Sequence, residues 1–194
     1  MLLEVKPEAF YDSLSIAHKL DDFLDAFLIK EIHLFSYFAS ILYLYDGKTP
    51  QDWSYSYIIN DGYPFASDVE LTLQRHIQNG WLESANDSEE YYKLSAKGLN
   101  ELNKFKNLLI FKDREKYLDA ACTTSILIPY KETIKALRSD PSVSSATALK
   151  SQQWLTQDLS SSKFSELSKV IGVPAGDLII PALGWIQYLN FNDK

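Results

Sequence analysis

Cysteine, histidine and positive charge are scarce in this sequence. Cys122 is its one cysteine, so no internal disulfide is possible and a reducing compartment is expected. The three histidines, His18, His33 and His76, do not stand at a zinc-ligand spacing, so we expect no metal site. Lys and Arg number 19 against 26 Asp and Glu, a formal charge of −7, whereas proteins that bind DNA unaided usually carry a basic surplus. These scarcities favour a protein partner.

Long apolar runs and catalytic motifs are missing as well. The most apolar stretch, residues 23–45, is interrupted by charged residues, so it predicts a buried helix and no membrane span. Residues 1–20 lack the pattern of a signal peptide, so we expect a cytoplasmic protein without membrane contact. His33 and Cys122 are expected to be packed core residues. Because GxGxxG, GxxxxGK[ST] and GxSxG motifs do not occur, we expect no enzyme, no catalytic residue and no cofactor.

The first strongly periodic segment predicts a helix over residues 20–45. Asp21 or Asp22 would cap its start, and Gly47 would end it. The following segment, residues 52–59, is ambiguous, because its alternating aromatic residues suit an extended chain as well as a short helix. A turn is expected just after it.

A second helix carries the clearest local signal. Ser67 and Glu70 fit a capping box, which predicts a helix from Ser67 to Asn79 that Gly80 ends. Its predicted core face holds Val69, Leu73 and Ile77. The pattern then predicts strands at residues 81–83 and 91–94, joined by a turn at residues 86–88. A further helix follows and reaches Leu109; its predicted cap is Ser95.

The resulting order over residues 20–110 is helix, helix, capped helix, strand, turn, strand, helix. This order resembles a winged helix-turn-helix domain. The stretches Gly80-Trp81-Leu82 and Tyr92-Lys93-Leu94-Ser95-Ala96-Lys97-Gly98 are similar to a glycine-led strand pair that recurs in that superfamily. The resemblance covers residues 23–105 and implies that residues 67–79 form the recognition-type helix.

If the resemblance extends to DNA binding, three side chains of that helix would read base edges: Gln74, Arg75 and Gln78. Lys93 and Lys97 of the wing would hold phosphates. A longer basic stripe would add Lys104, Lys106, Lys112, Arg114 and Lys116. Against this use, two carboxylates, Asp68 and Glu70, stand at the start of the helix, where they would repel phosphates.

The second half of the chain predicts two further parts. Residues 111–145 form a helical connector that Pro129 and Pro141 interrupt and that ends in a serine-rich linker at residues 139–145. Residues 146–194 form a helical, second helix-turn-helix-like unit without a wing. Its expected parts are a helix at residues 149–159, a loop at 160–162, a helix at 164–171 and a last helix that Pro181 would kink.

The outward side chains of that last helix include no lysine or arginine, so they suit contact with protein. Residues 1–19 are expected to be an N-terminal arm, amphipathic or loosely ordered, whose aromatic side chains are free to dock. The candidate interface residues are Ile179, Ile180, Gln187, Phe10 and Tyr11.

Two functions stay open. The first is a noncatalytic adaptor subunit in a DNA-associated bacterial complex, similar to acidic tandem winged-helix proteins that accompany structural-maintenance-of-chromosomes or ABC-type ATPases, including systems that act in phage or plasmid defence. Its partner would be a large ATPase or nuclease subunit, and DNA would be contacted directly or through that partner. The second is a winged-helix transcription regulator of the PadR or MarR type, a homodimer that binds duplex DNA through residues 67–79 and the wing. The acidic balance favours the first.

Overall fold

The computed structural model describes residues 4–85, 90–149, 155, 158–172 and 176–192. The described chain is mainly helical and carries small antiparallel sheets, as the sequence predicts. The helices are α1 (Pro7–Asp21), α2 (Ile29–Tyr45), α3 (Ser67–Gln78), α4 (Ala96–Phe105), α5 (Leu109–Leu127), α6 (Tyr130–Arg138), α7 (Pro141–Ala148), α8 (Asp158–Ile171) and α9 (Ile179–Asn192). The strands are β1 (Phe27–Leu28), β2 (Ile58–Asn60), β3 (Tyr63–Phe65), β4 (Leu82–Ser84) and β5 (Tyr91–Leu94), and a 3-10 helix spans Pro50–Trp53.

Helix α1 lies in the core, so the prediction of an N-terminal arm over residues 1–19 is wrong. Tyr11 is 1% exposed, and Leu14 is fully buried. The sequence pattern does not predict a core helix here, because the buried face of α1 also carries polar residues. Asp12 and Ser13 interrupt the apolar pattern, yet both are buried and hydrogen-bonded.

Helix α2 begins at Ile29, later than predicted. Asp22 ends α1 and does not cap a following helix. The start of α2 is held by Glu31, whose carboxylate accepts a hydrogen bond from the Leu28 backbone N–H at 2.8 Å. Gly47, at φ 78°, follows its end as predicted. Every residue from 31 to 43 is buried, so this helix is enclosed on all sides.

The ambiguous segment after α2 forms the 3-10 helix and then a hairpin of β2 and β3. Asp61 and Gly62 form its two-residue turn, with φ of 50° and 72°, the left-handed pair that such a turn requires. The sequence predicts only the turn, because strands of three residues, one of them containing Pro64, leave too short an alternating pattern.

Helix α3 and the strands after it are close to prediction. The capping box at α3 is wrong, because Ala66 precedes the helix and Ser67 is already its first helical residue. Ile77 is 37% exposed and lies outside the core. The buried residues of α3 are Val69, Thr72, Leu73 and His76.

Strands β4 and β5 pair antiparallel, and β1 adds to the other side of β5. The predicted turn at residues 86–88 lies outside the described residues. Ser95 caps α4 as predicted and accepts a hydrogen bond from the Gly98 N–H at 3.1 Å. A Cβ at Gly98 would lie 2.3 Å from the Trp81 carbonyl oxygen, so only glycine fits there.

Helices replace the predicted linker and loop in the second half. Helix α4 ends at Phe105, and Leu109 starts α5 instead of extending α4. Pro129 separates α5 from α6 as expected. Where a serine-rich linker was predicted, Asp140 caps α7 by accepting a hydrogen bond from the Ser142 N–H at 3.0 Å. Aspartate before proline therefore starts a helix here.

The predicted loop at residues 160–162 lies inside α8. Ser160 is fully buried, and its hydroxyl lies 2.7 Å from that of Ser142. The predicted helix at residues 149–159 falls largely outside the described residues. Leu155 is described; it is buried, and its N–H donates to the Tyr57 carbonyl at 2.8 Å.

Pro181 does not kink α9. It is the third residue of that helix, where a backbone N–H has no partner within the helix. Asp177 holds this start through one carboxylate oxygen, which accepts from the N–H groups of Ile179 and Ile180 at 2.9 and 3.1 Å.

One apolar core crosses both predicted boundaries, at residues 110–111 and 145–146. The cluster of buried apolar side chains runs from Ala9 to Leu189. Helix α2 stands at its centre and packs against α1, α5, α6 and α8. The second half of the chain therefore shares one core with α1 and α2 of the first half.

A buried ion pair joins α1 to α5. Arg114 Nε donates to Asp12 Oδ1 at 2.9 Å, and Nη2 donates to Oδ2. Nη1 donates to the Trp53 carbonyl at 3.2 Å, and the guanidinium carbon lies 3.8 Å from the Trp53 ring centre. Burial alone would lower the pKa of the guanidinium, but the Asp12 carboxylate outweighs burial and raises that pKa, so the group stays charged.

A chain of hydroxyl groups continues from this pair. The Tyr55 hydroxyl donates to Asp12 Oδ2 at 2.5 Å. Ser36 Oγ lies 2.7 Å from the Tyr55 hydroxyl and 2.8 Å from that of Tyr57. Trp53 Nε1 donates to the Tyr57 hydroxyl at 3.1 Å. Helices α1, α2 and α5 and the segment before β2 thus share one buried polar network.

Replacing one partner of the buried pair should destabilise the fold strongly. We expect Arg114→Met to lower the free energy of unfolding by about 3–5 kcal/mol, because Asp12 would stay buried without its counter-charge. The double variant Asp12→Leu/Arg114→Met should lose less than Arg114→Met alone. Urea unfolding of the full chain measures both.

Lys116→Met is the matched control, since Lys116 forms an exposed ion pair with Asp46 at 2.8 Å. It should cost about 1 kcal/mol or less. An Arg114→Met protein as stable as this control would refute the structural role of the pair.

Candidate functional site

The predicted base-reading side chains lie on the outer side of α3. Gln74 and Gln78 are exposed, and Arg75 is half-buried. Gln74 already donates to Glu70 Oε1 at 3.0 Å. Glu70 Oε2 lies 3.2 Å from His33 Nε2, and this hydrogen bond lowers the pKa of the carboxyl group. Most of the polar groups at this end of α3 are therefore engaged within the protein.

The predicted basic stripe is divided by ion pairs. Lys93 Nζ lies 3.5 Å from Glu83 across the hairpin of β4 and β5, and Lys97 is exposed at the start of α4. Further along, Lys104 pairs with Glu101 at 2.5 Å. Arg114 belongs to the buried network. The stripe is therefore not a continuous phosphate-binding surface.

The predicted interface residues separate into two groups. Ile179 and Ile180 are 37% and 45% exposed, and Gln187 is exposed too, all on α9. Tyr11 is buried and stacked on Phe111 at 4.4 Å between ring centres, so it does not present a docking surface. Phe10 is half-buried beside His76 and Trp81. The prediction of Phe10 and Tyr11 as docking residues is wrong because α1 is a core helix and not an arm.

An apolar groove of about 990 Å³ opens between the end of α5, α6, α8 and α9. Its principal lining residues are Leu127, Pro129, Leu167, Gln187, Tyr188 and Phe191. Leu127 is 57% and Phe191 79% exposed, so large apolar side chains stand at its rim. It includes Gln187, which the sequence predicts as an interface residue.

A second groove, of about 1230 Å³, adjoins the first at α6 and is also lined by residues of α7, α8 and β5. We name it the basic groove, after Lys131, Lys135, Arg138 and Lys163, which line it together with Tyr91 and Tyr130. Lys135 and Tyr188 line both grooves. Helix α6 thus contributes residues to both grooves.

Sequence reasoning missed the basic groove, although a signal was present. Lys131, Lys135 and Arg138 stand at positions i, i+4 and i+7, which places them on one face of a helix. They lie in the predicted connector, residues 111–145, but are not among the residues that the sequence predicts for the basic stripe. Lys163 joins them only through the packing of α8, which the sequence does not reveal.

The reactive side chains lie in the interior. His33 is packed as predicted, and its Nδ1 accepts from the Ala66 N–H at 3.3 Å. Burial raises the pKa of the Cys122 thiol, which keeps it protonated and unreactive. Among the described residues, no group of three or more His, Cys, Asp and Glu side chains stands close enough to hold a metal ion.

The chain matches no protein-family model, no curated protein and no solved structure. Within the described ranges, no helix has the length and apolarity to cross a membrane.

His76, on the inner side of α3, should make stability depend on pH. It is fully buried and lies 2.8 Å from Ser13 Oγ, and burial lowers its pKa from 6.5 to about 3. Between pH 6.5 and 3 the unfolded chain binds a proton that the folded chain does not, so stability falls as the pH falls through this window.

We expect His76→Gln to lose less stability on acidification than the unchanged protein, with a difference of about 1.4 kcal/mol per pH unit below pH 6.5. Urea unfolding at pH 7.0, 5.5 and 4.5 gives the comparison. His18→Gln is the control, because His18 is only partly buried, beside Asp22. Equal slopes for the protein with and without His76 would mean that this histidine titrates normally.

Proposed function

We propose that the chain is a noncatalytic adaptor subunit that binds another protein through the apolar groove. The observation that carries this proposal is the rim of that groove, where Leu127 and Phe191 are more than half exposed. Open apolar surface with a polar border is typical of protein-binding sites. Gln187 and Glu132 supply polar groups at the border.

The occupant that fits best is an amphipathic helix of the partner. The groove runs between packed helices, and such grooves receive apolar side chains spaced at three and four residues. Tyr188 and Leu167 are half-buried and line the groove, where they would contact apolar side chains of the partner. The exposed residues at the rim would be desolvated on binding. Ile179 and Ile180 lie on the same helix as Gln187 and are 37% and 45% exposed, although neither lines the groove.

A winged helix-turn-helix scaffold is part of the proposal. Its support is the order of α1, α2, α3, β4, β5 and α4, together with a three-stranded sheet in which β1 joins the hairpin. Two features depart from a DNA reader. Residues 46–66 separate α2 from α3, whereas a helix-turn-helix motif has a turn of three to four residues. Helix α2 is also enclosed, by α1 and β3 of the first half and by α5, α6 and α8 of the second.

The proposed partner is a large ATPase or nuclease subunit of a DNA-associated bacterial complex. This follows from the winged-helix resemblance and from the net charge of −7, which suits work beside DNA through another protein better than direct binding by α3. Asp68 and Glu70 near the start of α3 are engaged with Lys6 and His33, as expected of a helix that is part of the fold's own packing.

Disrupting the apolar groove should abolish complex formation. We expect Leu127→Asp/Phe191→Asp to weaken binding to the ATPase or nuclease subunit encoded by a neighbouring gene by about 30-fold or more, because two apolar anchors become charged. The chain and the partner subunit are purified separately, and isothermal titration calorimetry measures the affinity between them.

Val170→Asp is the control, since Val170 is 86% exposed on α8 and lies outside the apolar groove. It should bind like the unchanged protein. Equal affinity of the groove variant would exclude the groove, and failure of every neighbouring ATPase and nuclease to bind would exclude the adaptor function.

A direct test separates the adaptor from a duplex-reading regulator. We expect the purified chain to bind duplex DNA only at the level of nonspecific contact, with a Kd of about 1 μM or weaker near physiological salt. Arg75→Ala should leave that affinity unchanged in a gel-shift titration. Submicromolar binding that Arg75→Ala removes would support the regulator and overturn the adaptor proposal.

A further inference from the structure

The basic groove gathers positive charge in an acidic protein. Lys131, Lys135, Arg138 and Lys163 are all exposed there, while the net charge of the chain is −7. Glu31 also lines the groove, but its carboxylate is buried and accepts the Leu28 N–H. The groove is therefore a local exception to the charge of the whole protein, and it favours an anionic ligand.

The spacing of the cations suits an extended anion better than a single phosphate. Lys131, Lys135 and Arg138 follow one face of α6, which spans about 10 Å from the first to the third. A nucleic-acid strand places a phosphate about every 3.4 Å along a helical axis. The row is therefore longer than one phosphate spacing and can contact more than one phosphate of a strand, and Lys163 lines the same groove from α8.

Aromatic rings stand among these cations. Tyr91 is 40% exposed on β5, and Tyr130 lines the groove at the start of α6. The guanidinium of Arg138 lies 4.5 Å from the ring centre of Tyr63 beside the groove. Alternating rings and cations are how proteins hold single-stranded nucleic acid, because the rings stack on bases while the cations bind phosphates. An acidic peptide would need only the cations.

The shape of the groove favours a strand over a duplex. Proteins read duplex DNA with elements that project into its grooves. Here the cations line a recess of about 1230 Å³ between α6, α7 and α8, a concave surface that suits a flexible strand.

We infer that the basic groove binds single-stranded nucleic acid, with phosphates along Lys131, Lys135 and Lys163 and a base stacked on Tyr91. This site shares Lys135 and Tyr188 with the apolar groove but is otherwise lined by different residues, and it goes beyond the adaptor function.

Fluorescence anisotropy tests this inference on the full chain at about 50 mM salt, with a labelled single-stranded oligothymidylate of about ten nucleotides as the probe. We expect Lys131→Gln/Lys135→Gln/Lys163→Gln to bind at least tenfold more weakly. The control, Lys106→Gln/Lys112→Gln/Lys169→Gln, removes equal charge from exposed positions outside the groove and should change the affinity less than twofold. Raising salt from 50 to 200 mM should weaken the unchanged protein about 20-fold, as three phosphate contacts require.

The ring is tested separately by Tyr91→Leu and Tyr91→Phe. Leucine should weaken binding about tenfold, whereas phenylalanine, which keeps the stacking surface, should not. Thermal melts followed by circular dichroism confirm that each variant is folded. If the triple lysine variant does not fold, the single variant Lys163→Gln replaces it. The inference would be overturned if the control lysines caused an equal loss or if the chain did not bind at 50 mM salt. It would also be overturned by equal affinity for a ten-base-pair duplex or by displacement of the strand by polyglutamate at equal charge.

Discussion

The carboxylate of Asp12 and the guanidinium of Arg114 meet in the interior, and the packing of four elements depends on their contact. Neither charge tolerates burial alone, so α1 and α5 must approach each other with the two side chains in register. Trp53 covers the guanidinium, and Tyr55 shares the carboxylate, which fixes the segment between α2 and β2 as well. The polar network thereby specifies one arrangement of a core that is otherwise held by nondirectional apolar contacts.

Enclosure of α2 follows from that arrangement. With α1 and α5 held together, β3, α6 and α8 cover the remaining sides of α2. The helix next to the proposed recognition helix is then unavailable to DNA, and the surfaces left over are those of the outer helices. Helix α6 contributes residues to both grooves. Lys135 of α6 and Tyr188 of α9 line each of them. The two grooves therefore place the proposed binding surfaces mainly on the second half of the chain.

Local signals in the sequence predicted part of the local structure, although the helix caps predicted at Asp22 and Ser67 are wrong. Ser95 as a helix cap, Pro129 as a break and the strand pair of β4 and β5 all follow from short-range rules, and the structure has them. The prediction failed where polar residues are buried. Asp12 in α1 and Asp140 before α7 made core helices look like an arm and a linker, because their partners lie far away in the sequence. For the same reason the cations of α6 were visible in the sequence, but the groove that unites them with Lys163 was not.

Asp12 and Arg114 are 102 residues apart, which sets an order on folding during synthesis. When the first half leaves the ribosome, the carboxylate has no counter-charge and the inner surfaces of α1 and α2 have no cover. Stable structure must wait until α5 has been made, so the nascent chain presents apolar surface for the time that the intervening residues take to be added. A chaperone, or a partner that binds early, would have its greatest effect in that interval.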